Sequence, residues 1–222
     1  MASKAARKRR YIAFFDFDNT ITPHDILDDI IARFSPDDGW VELERRWVAG
    51  HIGSRECLDG QMRGVRITKG RLGRYLSKIK VDPAFKNILK LCDSKHIKKF
   101  ILSDNFGYIV KSILKANGIR GLRIYCNRLK FSGDRLIPRF PFLNVRCHKC
   151  AHCKKANLIS KAGKFAITIY VGDGLSDICP AERADIVFAK GTLAKHFKKK
   201  KMEHIPFKKL SEVYKHLKRS VL

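Results

Sequence analysis

Short apolar runs alternate with longer amphipathic ones along this chain. Residues 11–15, 99–102, 167–171 and 185–189 are mostly apolar and rich in β-branched or aromatic side chains. Runs so short and so uniformly apolar predict buried parallel strands. The first three run directly into polar clusters: Asp16 and Asp18, then Ser103-Asp104-Asn105, then Gly172-Asp173-Gly174. Between strands the period changes. Residues 106–117 place Ile109, Val110, Ile113 and Leu114 on one helical face, and Asn117-Gly118 supplies a stop. A shorter helix is predicted over residues 155–162.

More than 80 residues separate the first two strands, far more than one crossover needs. Residues 24–82 carry no strand pattern but four helical ones, over 25–34, 39–49, 54–63 and 69–78. Ser54, with Glu56-Cys57 following, reads as a capped helix start. Residues 127–141 predict a small β excursion, with strands at 128–131 and 135–140 about the turn Ser132-Gly133-Asp134. The expected organisation is a basic tail at 1–10, an α/β core at 11–23 and 83–222, and a helical cap at 24–82. Strand–helix alternation makes the core a Rossmann-like parallel sheet. Ligands of such sheets bind beyond the carboxyl ends of the strands, where the three polar clusters fall.

Composition supports a globular chain: 222 residues with 45% hydrophobic side chains. The net charge of +26 is extreme but uneven, with +5 in residues 1–10 and +9 in residues 190–222. Such charge favours polyanions or anionic substrates. A nucleic-acid-associated role is the rival reading, but no recognition motif or aromatic stacking platform accompanies the charge. Lys198 to Lys201 reads as the end of a surface helix. The basic start is followed by only five apolar residues before Asp16, which is no secretory signal, and no run reaches membrane-spanning length. Seven cysteines, an odd count without an export signal, point to reduced thiols in the cytoplasm.

The polar clusters suggest one chemistry. Alternate residues of an extended strand face the same side, so Asp16 and Asp18 point together while Phe17 turns inward. Asp-x-Asp alone also fits a solvated turn or a calcium ligand. Ser103 and the amides beside it could cradle an anion, although a serine there is also an ordinary helix cap. Lys154 or Lys155, opening the helix before the third strand, could neutralise a phosphoryl oxygen. Asp173, between glycines that allow close approach, offers a hard oxygen ligand suited to magnesium, and Asp177 could support it. Together these supply the nucleophile, metal site, oxygen donors and proton donor that phosphoryl transfer needs.

The order Asp-Phe-Asp-x-Thr, Ser, Lys, Gly-Asp-Gly-x-x-Asp resembles the haloacid dehalogenase superfamily of phosphatases, and the helical insert is similar to its phosphoserine-phosphatase-like branch. The stretch from Trp40 to Gln61 resembles methionine-salvage phosphatases acting on 2-hydroxy-3-keto-5-methylthiopentenyl 1-phosphate. The segments 102–107 and 170–180 are similar to phosphoethanolamine/phosphocholine phosphatases. The resemblance implies a Mg2+-dependent phosphomonoesterase acting on a small phosphorylated metabolite. In it Asp16 is the nucleophile and Asp18 the proton shuttle. The metal is held by Asp16, the Asp18 carbonyl and Asp173. Ser103, a lysine and the Asn19 and Asp104 amides grip the phosphoryl group, with Asp177 supporting. Leu158-Ile159, three and four residues on, favour Lys155 as that lysine; adjacency to Cys153 favours Lys154. Transfer to an acceptor other than water fits the same motifs. Ser176 stands where many phosphoserine phosphatases have Asn, and Asp104 where they have Gly, which weakens a phosphoserine assignment alone.

Cys147, Cys150 and Cys153, with His148 and His152, admit a zinc site or a packed thiol cluster near the active site. In the insert, Asp25, Asp28, Arg46, Arg55 and Glu56 are candidates to read the leaving group, or simply its wet face. Trp40 and Trp47 read as core between helices. His24 is placed to touch substrate or to serve as a hinge.

Overall fold

The computed structural model describes residues 10–144, 147 and 149–221. The expected tail at residues 1–9 and His148 lie outside them. The described elements run β1 (Arg10–Phe15), α1 (Ile26–Phe34), α2 (Gly39–Val48), α3 (Ser54–Gly64), α4 (Lys69–Leu76), α5 (Pro83–Ser94), β2 (Lys98–Phe106), α6 (Gly107–Ala116), β3 (Arg123–Ser132), β4 (Arg135–Arg139), α7 (Lys154–Ala162), β5 (Ala166–Gly172), α8 (Ile178–Ala181), β6 (Ile186–Ala189), α9 (Gly191–Lys199), β7 (Ile205–Pro206) and α10 (Leu210–His216).

The strands form one sheet in the order β4-β3-β2-β1-β5-β6-β7. All neighbours are parallel except β3 and β4. The centre is β1, paired with β2 through Phe15↔Ile101 and with β5 through Phe15↔Val171. Its side chains alternate between two cores, as a doubly covered strand requires. Ala13 and Phe15 join one cluster with residues of α1, α4, α5, α6 and α10, while Ile12 and Phe14 join another with Leu158, Ala181, Leu193 and Phe197. Phe14 stacks on Phe100 at 5.4 Å, and Phe15 meets Phe85 edge-on at 5.4 Å. Each such buried ring contributes about 1.5–3 kcal/mol.

The insert helices occur where the period predicted them, and local chemistry explains their ends. Asp25 caps α1 by accepting from the amides of Leu27 (2.9 Å) and Asp28 (3.0 Å). Ile26, Leu27, Ile30 and Ile31 make its buried face. These residues, with Met62, Leu72 and Leu76, belong to the same apolar cluster as one face of the sheet, so the insert has no separate core. Among its helices α2 is the exception: none of its residues is fully buried.

The structure differs from the sequence reading in several places. Strand β3 begins at Arg123, pairs in parallel with β2, and only then turns into the antiparallel hairpin with β4. Its first half offers an apolar run of only three residues, Ile124-Tyr125-Cys126, between Arg123 and Asn127. Helices α5, α8 and α10 and the two-residue strand β7 carried no assignment. Ser54 is not the cap of α3; Gly53 holds that position. The Ser54 hydroxyl instead donates to the Lys149 carbonyl at 2.8 Å and accepts from the Ala151 amide at 3.0 Å. As expected, the lysine run ends a helix, α9.

Candidate active site

The carboxyl ends of β1, β2 and β5 open onto a cavity of about 170 Å³, roofed by α1, α2 and α3. Asp16, Asp18, Asp104, Asn105, Lys154, Asp173 and Ser176 line its floor. Asp25, Asp28, Glu44, Trp47, Cys57 and Gln61 are among those lining its roof.

Asp16 continues β1, its amide donating to Val171 O at 2.9 Å, so the sheet itself fixes the carboxylate. Phe17 is fully buried, and its carbonyl accepts from the amides of Ile21 (2.9 Å) and Thr22 (3.1 Å). This tight turn brings Asp18 to the same cavity as Asp16. Its bend passes through Asn19 at φ 49°, a left-handed conformation that Asn tolerates better than most residues.

Lys154, at the first turn of α7, is 2% exposed. Its Nζ reaches Asp16 Oδ1 at 2.5 Å, Asp177 Oδ1 at 2.8 Å and Ser176 Oγ at 2.9 Å. Burial alone would push this ammonium down; Asp16 and Asp177 outweigh it and hold the group charged, well above the usual lysine range. Lys155, the residue preferred from the Leu158-Ile159 spacing, is half-buried and lines a different cavity with Cys147, Cys150 and Cys179. The correction follows from the helix: α7 starts one residue earlier than its apolar period suggests. Cys153 therefore precedes the inward-facing lysine.

Asp177 is fully buried, and both its oxygens are used. Oδ1 takes Lys154 and the Tyr170 hydroxyl (2.7 Å); Oδ2 takes the amides of Asp173 (2.9 Å) and Gly174 (3.0 Å). A Cβ on Gly172 would fall 2.5 Å from that Oδ2, so the glycine before Asp173 makes room for Asp177. Asp173 is held by the Asn19 side-chain amide (2.7 Å) and the Thr20 hydroxyl (2.8 Å). Asn19 therefore orients Asp173. Its own backbone amide is spent on His24 O (3.0 Å) and Thr22 Oγ1 (3.1 Å), so it does not serve as the expected phosphate donor.

Ser103 is 1% exposed and does not line the cavity; its Oγ accepts from the Asn105 amide at 3.0 Å. Its neighbours Asp104 and Asn105 do line the cavity. Asn105, part of the polar cluster with Ser103, was given no role in the sequence reading. Its side-chain amide donates to both oxygens of Asp18, at 3.0 and 2.9 Å. Burial, with Asp25 second, raises Asp18 well above the ordinary carboxyl range, which favours its protonated form. Asp16 is also raised, by burial first and Asp177 next, with Lys154 pulling it back. Burial raises Asp104, whose Oδ1 is buried without a hydrogen-bond partner.

The carboxylates of Asp16, Asp173 and Asp177 offer oxygens within 4.8 Å of one another, the metal-ligand grouping found among the described residues. Buried, oxygen-only donors of like charge suit a hard divalent cation. With Asp177 fully committed, Asp16 and Asp173 are the carboxylates left for it. The Asp18 carboxylate is not in this group, being turned to Asn105 and the Ile26 amide (3.2 Å).

The thiol cluster takes no metal-ligand geometry among the described residues. His152 Nε2 accepts from Asn157 (2.7 Å) and its Nδ1 donates to Ser103 O (2.8 Å). Burial keeps the ring neutral, at about 4. His152 thus ties the loop before Lys154 to β2. In the roof, Asp25 and Asp28 reach the cavity, whereas Arg46, Arg55, Glu56 and His24 do not line it. Trp40 packs against the core as expected, but Trp47 faces the cavity.

The pattern of haloacid dehalogenase-like hydrolases matches residues 13–182, and the chain belongs to that family. Within it the chain is a phosphoric monoester hydrolase. Two 2-hydroxy-3-keto-5-methylthiopentenyl-1-phosphate phosphatases are similar over nearly their whole length. The one from Exiguobacterium sp. is 28% identical over 91% of this chain and 95% of its own. The one from Geobacillus thermodenitrificans is 27% identical over 96% and 97%. The phosphoserine phosphatase of T. onnurineus shares the fold at a TM-score of 0.70 and 17% identity, covering 98% of this chain and 99% of its own.

Proposed function

We propose that the chain hydrolyses a small phosphorylated metabolite through an aspartyl-phosphate on Asp16, with Mg2+ as cofactor. The observation that supports this best is that Asp16, Asp18, Lys154 and Asp173 share one cavity. Asp16 attacks phosphorus as the bond to the leaving oxygen breaks, and Asp18, whose burial favours its protonated form, gives that oxygen its proton. The resulting Asp18 carboxylate then takes a proton from water as the water oxygen attacks phosphorus. This releases phosphate and restores Asp16. Lys154 and the amides beside Asp104 balance charge on the phosphoryl oxygens. Asp16, Asp173 and the Asp18 carbonyl would hold Mg2+, which when bound supplies further positive charge against those oxygens. Asp177 and Asn19 position these groups, and Ser103 braces the β2 end.

The substrate candidates are phosphoserine, phosphoethanolamine or phosphocholine, and a methionine-salvage ester. Among the described residues no helix is long and apolar enough to cross a membrane, and all seven cysteines are free thiols, which suits the cytoplasm. Asp16→Asn should abolish turnover of p-nitrophenyl phosphate, with circular dichroism unchanged. A variant that keeps full activity would sink the nucleophile assignment.

A further inference from the structure

The cavity roof is acidic on a molecule that is otherwise strongly basic. The chain has 47 lysines and arginines against 21 acids, yet the roof residues that line the cavity include Asp25, Asp28 and Glu44 and no cation. The one cation on the cavity wall, Lys154, sits at the floor and is paired with Asp16 and Asp177. The roof acids are close enough to perturb one another. Asp28 is raised to about 7, by burial first and then by Asp25 and Glu44.

Their hydrogen bonds leave capacity for a ligand. Asp25 spends Oδ1 on the first turn of α1. Glu44 Oε2 accepts from Gln61 Nε2 at 3.0 Å and from the Cys57 thiol at 3.8 Å. The Asp28 carboxylate has no hydrogen-bond or ion-pair partner among the described residues, and nearby Arg46 faces outward to Glu56 at 3.9 Å. Trp47, three residues after Glu44 on α2, presents an aromatic ring to the same cavity. Carboxylates beside an aromatic face, without a resident cation, are what a bound ammonium requires.

We propose that the roof reads a cation: the substrate is a phosphate monoester of a small amino alcohol or its quaternary ammonium analogue, with Asp28, Glu44 and Trp47 as specificity-determining residues. This rests on the phosphatase reading and narrows it. An ester whose alcohol carries a carboxylate meets three acids with no compensating cation. A neutral alcohol leaves those acids without a counter-charge. The cavity, at about 170 Å³, admits only a short alcohol.

The test uses the full chain with Mg2+ and compares kcat/KM for O-phosphoethanolamine and phosphocholine with 2-hydroxyethyl phosphate, its neutral counterpart, and with O-phosphoserine. The cationic esters should exceed the neutral ester by at least about tenfold and phosphoserine by more. Asp28→Asn and Glu44→Gln should each reduce the cationic-to-neutral ratio severalfold through KM of the cationic ester, and Trp47→Leu should lower it further for the quaternary ester. Circular dichroism verifies the fold of each variant. Equal or better turnover of the neutral ester or of phosphoserine overturns the proposal. So does a ratio that none of the three substitutions moves. If p-nitrophenyl phosphate is hydrolysed while the ratio is flat, only the cation proposal falls. If the wild type hydrolyses none of these esters, aryl phosphate included, the phosphatase reading falls with it.

Discussion

Floor and roof of the same cavity are built on opposite plans. On the floor, the ammonium of Lys154 has three polar partners and both oxygens of Asp177 are occupied. These groups are buried, and their partner Asp16 is fixed at a strand end that the sheet holds in register. On the roof, α2 has no fully buried residue, and the Asp28 carboxylate has no hydrogen-bond partner among the described residues. Charge that must be in place before the reaction is held by a saturated network, since reorganising it would cost rate. Groups that recognise a leaving group can sit on thinly packed helices and complete their bonds when it arrives. The difference predicts that floor substitutions cost kcat and stability together, whereas roof substitutions redistribute KM among substrates.

The largest effect should come from Lys154→Met set against Lys155→Met. Losing the Lys154 ammonium leaves Asp16 and Asp177 buried without their counter-charge, a cost of about 3–5 kcal/mol. Turnover should fall by about 10²–10³ or more. Lys155→Met should stay within about 0.5 kcal/mol of the wild type. Thermal melts and steady-state rates decide it; a larger loss from Lys155 would move the catalytic lysine.

Asp18→Asn comes next, with a fall in kcat of about 10²–10⁴ for an alkyl ester. The loss should be far smaller for p-nitrophenyl phosphate, whose leaving group departs without a proton. Because burial raises Asp18, activity on alkyl esters should decline as pH rises through its elevated pKa, where the donor form disappears. Equal losses on alkyl and aryl esters would remove Asp18 as the acid.

The floor was more legible in the sequence than the roof, and for a physical reason. Floor chemistry sits at strand ends, where a short apolar run followed by Asp16, Ser103 or Gly172-Asp173-Gly174 marks the place by itself. What escaped notice there was a matter of single residues: whether α7 begins at Lys154, and whether Asn19 aims at phosphate or at Asp173. Periodicity is blind to a one-residue difference at a helix start. The roof depends on which face of α2 and α3 turns inward, and a helix without a buried stripe leaves that unspecified. Glu44 and Gln61 therefore carried no assigned role, and Trp47 looked like core. The first half of β3 was missed because its apolar run, Ile124-Tyr125-Cys126, is only three residues long.

Metal-free protein should sharpen the comparison further. Asp16, Asp18 and Asp173 are all raised, each chiefly by burial. A carboxyl whose folded pKa lies above its unfolded value, about 3.9, stabilises fully below that value and loses the contribution as pH climbs through the folded one. In EDTA the melting midpoint should therefore fall as pH rises from the acid side, and added Mg2+ should raise it most at the alkaline end. A midpoint insensitive to Mg2+ at every pH would argue against a cation between Asp16 and Asp173.

The smallest effect concerns the clasp between the two regions. Ser54 opens α3 in the roof, yet its hydroxyl bonds Lys149 O and the Ala151 amide in the loop that leads to Lys154. Ser54→Ala removes both bonds, but the Ser54 amide still donates to Lys149 O at 2.8 Å. The expected loss is about 0.5–1.5 kcal/mol, read as a midpoint shift of about 2–4 °C per kcal/mol. If floor and roof are separable, the substitution should move KM more than kcat, because Lys154 keeps its anchors on Asp16 and Asp177. A fall in kcat of tenfold or more at unchanged KM would mean that the roof positions Lys154 through this loop, and the two plans would have to be treated as one.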